Sequence, residues 1–450
     1  MGRSITSQRG PLAAPAVRTD DHNLTQFSGI VPLVRFMVGK LSLISKLYRV
    51  VEHDRSRRVY PRHLVLFAFM VGSLGGVHRL AHLEWLRGDA VLLKFLRLRG
   101  WPVRKVFSQA LASVSDRGIQ RLLEVIAAVG LAPLRGKDSA VIDMDSSAIV
   151  SFGHHEGAKF GYSGKGRNRR RHHPLVASVA GIRTVVHADY RDGSGIDAQE
   201  AIAFSARAIK VVAEVLADGA RVILRADSGF WSRAFSEWLL DQGVPFIFAL
   251  PLRPAVKLIL RTTRWRGLDG DPDIQQAVVP GPRVGLDPRL RVIAIRRRVL
   301  DPKAPPQGKR IDGCTRWRYQ ALVTSMEGEP HDLWQFYNDR ADCERVFKVA
   351  RGALGMGWLI GHRLRANETA FLMRLLAFNA DQRFQLDAER CAQEAHQPIV
   401  HMGLLARQHR FYAAAGRLLR DSGRWVLRVR DNAATARLWA FYAPELVNRE

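Results

Sequence analysis

Phe336-Tyr337-Asn338-Asp339-Arg340-Ala341-Asp342-Cys343-Glu344-Arg345-Val346-Phe347-Lys348-Val349-Ala350-Arg351 is the stretch around which the chain is organised. At the helical step of about 100° per residue, Tyr337, Arg340, Glu344, Lys348 and Arg351 fall on one narrow face. Phe336, Cys343, Val346, Phe347 and Ala350 fall on another and are expected to pack inward. One carboxylate is thus held among cations and a phenol on an anchored helix. Such a group can bind a metal ion while its neighbours bind phosphates. The same spacing also suits a surface helix with ordinary i,i+4 ion pairs.

The bulk properties narrow the choice. The 450-residue chain is 47% hydrophobic and carries 69 Lys+Arg against 42 Asp+Glu, a formal net charge of +27. That excess repels itself unless a polyanion neutralises it, so nucleic acid is the first partner expected and a membrane surface the second. The longest strongly apolar uncharged run, Leu64 to Val77, falls short of the roughly 20 residues a bilayer span needs and reads as a buried helix. The start, Met1-Gly2-Arg3-Ser4-Ile5-Thr6, lacks the apolar core of a signal peptide; its fit to the myristoylation pattern is too short to carry weight. Cys314, Cys343 and Cys391 are scattered with no CxxC, which excludes a disulfide frame and a cysteine-type zinc site. A cytoplasmic protein with no membrane partner is expected.

Taken in order, residues 1–30 read as a polar lead with Pro and Gly. Residues 31–135 are helical in pattern and lined by Arg and Lys, and are read as an all-α DNA-binding domain on charge alone. At Pro133 to Asp138 the composition changes. Ala140 to Asp145 is a short buried strand, Lys159 to His173 a basic, glycine-containing mobile loop, and Pro174 to Ala180 and Thr184 to Ala188 two further strands. A helix over Ala198 to Ala217, a strand over Arg221 to Asp227, a helix over Arg233 to Asp241 and a strand over Pro245 to Leu250 complete residues 138–250. Three strands, then helix, strand, helix, strand is the layout of an RNase H-like core: a mixed five-stranded sheet with helices, of the α/β class. Residues 251–330 read as a β-rich insertion, 331–385 as the final core helices carrying Glu344, and 386–450 as a C-terminal region.

Three acids have placements that suit metal-dependent chemistry. Asp145 and Asp227 each follow an apolar β run and precede small polar residues, which sets a carboxylate at a strand end. Glu344 is the third. Hard cations take oxygen ligands, and two Mg²⁺ or Mn²⁺ ions held by such a set drive in-line phosphoryl displacement. Asp143 competes with Asp145, because residues two apart in a strand share a face.

These residues carry a resemblance. The runs Val141-Ile142-Asp143-Met144-Asp145-Ser146-Ser147, Leu224-Arg225-Ala226-Asp227-Ser228-Gly229-Phe230 and Tyr337-Asn338-Asp339-Arg340-Ala341-Asp342-Cys343-Glu344 resemble the motifs of IS4-type DDE transposases of bacterial insertion sequences, most like the IS1380 family. The third run matches that family's tyrosine, two residues, arginine, three residues, glutamate signature. Where the family has a lysine seven beyond the glutamate, this chain has Arg351, with Lys348 one turn earlier; a guanidinium is not an ammonium. Gly161-Tyr162-Ser163-Gly164-Lys165 through His173-Pro174-Leu175 is similar to the loop before the family's second strand. The resemblance implies an RNase H-like core with an insertion between the second Asp and the Glu. It implies Asp145, Asp227 and Glu344 as catalytic metal ligands for two ions. It implies cutting at transposon ends and joining of the 3′ ends to target DNA, with a homodimer synapsing two ends in a bacterial, nucleoid-associated setting. Tyr337, Arg340, Lys348 and Arg351 are then expected along the DNA backbone. Lys165, Arg167, Arg169, Arg170 and Arg171 are expected to grip the transposon end, their alternative being a solvated basic loop. A nuclease of the same fold and a non-catalytic DNA-binding relative remain the competing readings.

Overall fold

The computed structural model describes residues 21–51, 59–162, 168–299, 316–430 and 432–447, with side chains at all of these except 162, 168 and 341–345. Strand β1 (Leu24–Thr25) precedes six helices, α1 (Ile30–Gly39), α2 (Leu43–Val50), α3 (Arg62–Leu74), α4 (Ala90–Leu96), α5 (Arg104–Ala112) and α6 (Asp116–Leu131). Helix α3 is apolar on every side, and all its residues from Val65 to Leu74 are buried, so it sits at the centre of the helical layer. Helix α6 starts where the Ser115 hydroxyl accepts from the Gly118 N–H, which satisfies one of the orphan donors of the first turn.

The sheet layer follows: β2 (Ser139–Ser146), β3 (Ile149–Val150), β4 (Lys159–Tyr162), β5 (Asn168–His172), β6 (Leu175–Val179), β7 (Thr184–Asp189), α7 (Ala198–Ala213), β8 (Arg221–Ala226), α8 (Arg233–Asp241) and β9 (Phe246–Ala249). Then come α9 (Pro254–Thr262), β10 (Arg266–Leu268), β11 (Asp271–Pro280), β12 (Arg291–Arg298), β13 (Trp317–Thr324), α10 (Pro330–Asn338) and α11 (Ala341–Ala353). The chain closes with α12 (Leu364–Glu394), α13 (Leu404–Arg407), β14 (Gly416–Asp421), β15 (Arg424–Val429) and α14 (Ala433–Tyr442).

Nine strands form one mixed sheet in the order β10-β11-β12-β13-β9-β8-β2-β6-β7. β2, β8 and β9 run parallel, as the helical crossovers through α7 and α8 require, and the other neighbours are antiparallel. The strands of residues 251–330 extend the central sheet outward from β9, through β13. Alternation sorts the side chains. Ile142, Met144, Leu224 and Ala226 join Phe204, Ala208 and Phe235 in the core under α7 and α8. Asp143, Asp145 and Arg225 therefore point to the other face, which α10 and α11 cover.

The basic segment expected as a mobile loop contains the paired strands β4 and β5. Arg171 and His172 are buried, and the Arg171 Nε donates to the Gly193 carbonyl, so the strand is anchored at its inner end. Residues 163–167, with Lys165 and Arg167, lie outside the described residues. Helix α12 runs on to Glu394, past residue 385, where the final core helices were expected to end, because Ala388 and Ala392 continue its buried face.

Helix α12 is the spine shared by both layers. Its Leu372, Leu375 and Leu376 lie in one core with Phe67, Phe69 and Phe107 from the N-terminal helices and Phe411 and Tyr442 from the C-terminal part. Buried Asn379 locks it to the sheet: its Oδ1 accepts from the Val185 N–H at 2.8 Å, and its Nδ2 donates to the carbonyls of Ile126 and Val185. Truncating this side chain strands one buried N–H and leaves the two carbonyls short of a donor. Asn379→Ala is expected to lower the unfolding free energy by about 2–4 kcal/mol, read as a lower urea midpoint; a loss below about 0.5 kcal/mol would refute the assigned role.

Candidate active site

The site begins with strand register. β2 and β8 lie side by side with Asp143 opposite Arg225 and Met144 opposite Ala226. Asp145 and Asp227 are the next residues on each chain, so the two carboxylates leave adjacent parallel strands at the same end. Asp145 is half-buried, and its Oδ1 accepts from the Ser146 N–H at 2.9 Å. Asp227 turns the chain: its Oδ1 accepts from the Gly229 N–H at 3.0 Å, an Asx-type turn. A Cβ at Gly229 would come within 3.1 Å of that oxygen.

Asp143 has a different environment. It is buried, and both its oxygens are taken by Arg225, Oδ1 by Nε at 2.6 Å and Oδ2 by Nη2 at 2.8 Å. The remaining Arg225 nitrogen, Nη1, donates to the Phe336 carbonyl, and its guanidinium lies 4.8 Å from the Phe336 ring. This contact explains why the opening stretch is two helices and not one. Phe336 gives its carbonyl to Arg225, the Arg340 N–H turns to the Tyr337 carbonyl, and α10 ends at Asn338 before α11 starts at Ala341.

The break redirects the residues on either side of it. Tyr337 is buried among Ile247, Ile293 and Leu322. Arg340 is also buried, its Nη1 donating to the Met144 carbonyl at 3.3 Å and lying 3.9 Å from Asp145 Oδ1. Two residues expected along the DNA backbone are thus inside the protein, and Arg340 lies beside the first carboxylate. Lys348 and Arg351 are exposed. Arg351 reaches back to β2, its Nη1 donating to Ser147 Oγ at 3.0 Å and its Nη2 to the Ala148 carbonyl at 3.2 Å. Position 344 lies on α11 between Arg340 and Arg351; the Glu344 side chain is outside the described residues. Arg169 and Arg170 are half-buried on β5, whereas Arg171 is buried.

His173 also belongs to the site, though the sequence pattern gives it no role of its own. Its Nε2 lies 3.1 Å from Ser146 Oγ and its Nδ1 3.2 Å from the Ser194 carbonyl. Burial lowers its pKa, and the charge of Asp227 works the other way. It therefore braces the turn after Asp145 on the side of the second carboxylate. The signal was its place directly before the strand that pairs with β2. Among the described residues, no three His, Cys, Asp or Glu side chains gather as a metal cluster. Two hard oxygen donors at adjacent strand ends do suit a divalent cation.

A family model described as "Transposase DDE domain" matches residues 136–380. The chain belongs to the DDE transposase family. Its match spans β2 to the middle of α12, and so takes in all three acids of the DDE reading. Among solved structures, the chain is similar to the piggyBac transposase synaptic complex with hairpin DNA, at 9% identity over 86% of this chain and 79% of that one, TM-score 0.49. It is also similar to the Drosophila P element transposase strand transfer complex, at 11% identity over 50% and 42%, TM-score 0.23. No curated protein matches it.

Two predictions follow from the buried groups. Breaking one half of a buried pair leaves an uncompensated charge, at a cost of about 3–5 kcal/mol, whereas replacing both with apolar residues of similar size is near neutral. Arg225→Met and Asp143→Leu are each expected to lower the urea midpoint sharply and the double variant to recover most of the loss; additive losses would contradict a closed pair. His172 is fully buried, neither ring nitrogen has a hydrogen-bond partner among the described residues, and burial lowers its pKa to about 4. The unfolded chain binds its proton near pH 6.5 and the folded chain only near pH 4. Its contribution is therefore complete above pH 6.5 and is lost as pH falls towards 4, on the order of 3 kcal/mol. Glu368, raised to about 6 by burial, acts with the opposite sign, so the difference between wild type and His172→Phe isolates the histidine. Unfolding of both proteins at pH 4.5 and 7.5 should show wild type losing stability relative to the variant on acidification; a pH-independent difference would rule this out.

Proposed function

We propose that the chain is a transposase of IS4 type, most like the IS1380 family, which cuts DNA at the ends of its element and joins the 3′ ends to target DNA. The observation that carries this reading is the register of β2 and β8, which sets Asp145 and Asp227 side by side at the same end of two adjacent interior strands. The five strands β9-β8-β2-β6-β7 support an RNase H-like core, with residues 251–330 as its β insertion, 31–135 as the helical domain before it and 386–450 as the C-terminal region.

In this reading Asp145, Asp227 and Glu344 hold two Mg²⁺ or Mn²⁺ ions. Bound there, such ions lower the pKa of the attacking water or 3′-hydroxyl and stabilise the leaving oxygen. The chain's own residues set the stage. The Asp143–Arg225 pair fixes the two strands in register and anchors α10. Arg340 holds Asp145 from behind. The Ser146 and Gly229 N–H groups each orient one oxygen of an aspartate. His173 steadies Ser146. Lys348 and Arg351, exposed on the helix of Glu344, contact the DNA backbone, as do Arg169 and Arg170. A homodimer synapses two double-stranded ends.

The test uses donor DNA carrying the element's own ends, target plasmid and Mg²⁺. Wild type is expected to cut and join. Glu344→Gln and Asp227→Asn should retain end binding and lose roughly 1,000-fold or more of both steps, since each removes several kcal/mol of transition-state stabilisation. Full activity in Glu344→Gln would overturn the assignment of the third acid. Cutting without end preference or joining would replace the transposase reading with a nuclease, and binding without any metal-dependent cutting would leave a non-catalytic relative.

A further inference from the structure

A second, smaller sheet stands beside the carboxylates. Its strand order is β3-β5-β4; β3 starts four residues after Asp145 and β5 ends next to His173. The inner end is well packed, with Ile149, Arg171 and His172 all buried. The outer part is not. Ile149 pairs with His172 and Val150 with Arg171, and the Ser151 N–H donates to the Arg170 carbonyl at 2.8 Å, which brings Phe152 level with Arg169. The Arg169 guanidinium lies 5.8 Å from the Phe152 ring. Across the other pairing, Phe160 is opposite Arg170, whose guanidinium lies 4.8 Å from the Phe160 ring. Phe152 is 79% exposed and Phe160 65%.

Consecutive residues of a strand point to opposite faces. Arg169 with Phe152 therefore occupies one face of the small sheet, and Arg170 with Phe160 occupies the other, at the same height. Single exposed phenylalanines are ordinary on protein surfaces. A phenyl ring on each face of one thin sheet, each backed by a guanidinium and neither part of an apolar core among the described residues, suits a partner that offers flat apolar groups and negative charge on both sides. Nucleobases and phosphates provide both. A single strand passing over a platform would need one aromatic face, and an intact duplex presents no base faces at all.

We propose that the β3-β5-β4 sheet is a strand-separating wedge, which enters an opened DNA end and stacks the unpaired base of one strand on Phe152 and that of the other on Phe160. Arg169 and Arg170 neutralise the flanking phosphates. The inference rests on the DNA-transposase reading and adds the form of DNA the site takes: an end whose terminal pairs are open, delivered beside Asp145.

The full chain is titrated with two short duplexes of one sequence, one blunt and one with mismatched terminal pairs. Each is made with 2-aminopurine at the terminal base of either strand. The native chain is expected to prefer the mismatched end. Each single variant, Phe152→Ala or Phe160→Ala, should weaken binding to that end by roughly tenfold and leave the blunt duplex unchanged. Each should release quenching on one strand only, the two variants affecting opposite strands, and Phe→Tyr at either position should restore both readouts. Both positions are exposed, so unchanged unfolding curves for the variants serve as the folding control. Equal losses on the two duplexes, no losses, or both variants acting on the same strand would overturn the wedge. Failure of the native chain to bind either duplex would overturn instead the DNA reading on which it rests.

Discussion

The structure depends on one buried guanidinium. Arg225 holds both oxygens of Asp143 and the carbonyl of Phe336, and so joins β2, β8 and the end of α10 in a single contact. Two charges taken out of water recover their solvation only when the geometry is close and every remaining donor is used. Here the third donor is used on the helix, and that choice has a structural price: α10 loses a carbonyl from its ladder and the chain breaks before α11. The break aims Arg340 at Asp145. Position 344 then follows one turn later on the new helix.

Much of this was legible in the chain itself. Apolar runs that end in Asp and a small polar residue marked β2 and β8, and the helical pattern of residues 336–351 marked that stretch as helical. The break within that stretch was not legible, because its cause sits 111 residues away in sequence. Helical phase alone also put Tyr337 and Arg340 on a surface, when a buried carbonyl and the Asp145 carboxylate were waiting for the arginine. Asp143 and Asp145 looked alike as strand residues on one face. What separates them is the partner across the ladder: Arg225 lies opposite Asp143, and it is the register, read only from paired strands, that shows it. The basic run at Asn168–His172 looked like a loop because its charges hid an anchored strand, with Arg171 and His172 turned into the protein.

The two layers are joined by polar groups as much as by apolar packing. Within the helical layer, Arg407 donates to Asp381 and Gln385 of α12, while the hydroxyls of Tyr412 and Tyr442 donate to Asp381 and Gln385. Buried networks of this kind are stable when every member is satisfied, and they specify one register of the C-terminal segment on α12. Asn379 does the same between α12 and the sheet. The sheet is thus held from behind by α12, which Asn379 ties to β7 and which Asp381 and Gln385 tie to the C-terminal segment.

The embrace of the chain ends sets a timetable for biosynthesis. Strand β1 pairs with β14, and Gln408 donates to the Leu74 carbonyl at the end of the all-apolar helix α3 across 334 residues. At about 5–20 residues per second, that helix leaves the ribosome roughly 15–70 s before the segment that covers it. During that interval α2 and α5 already pack on α3, but the part of its apolar surface that α12 and the C-terminal segment cover still lacks its native partners.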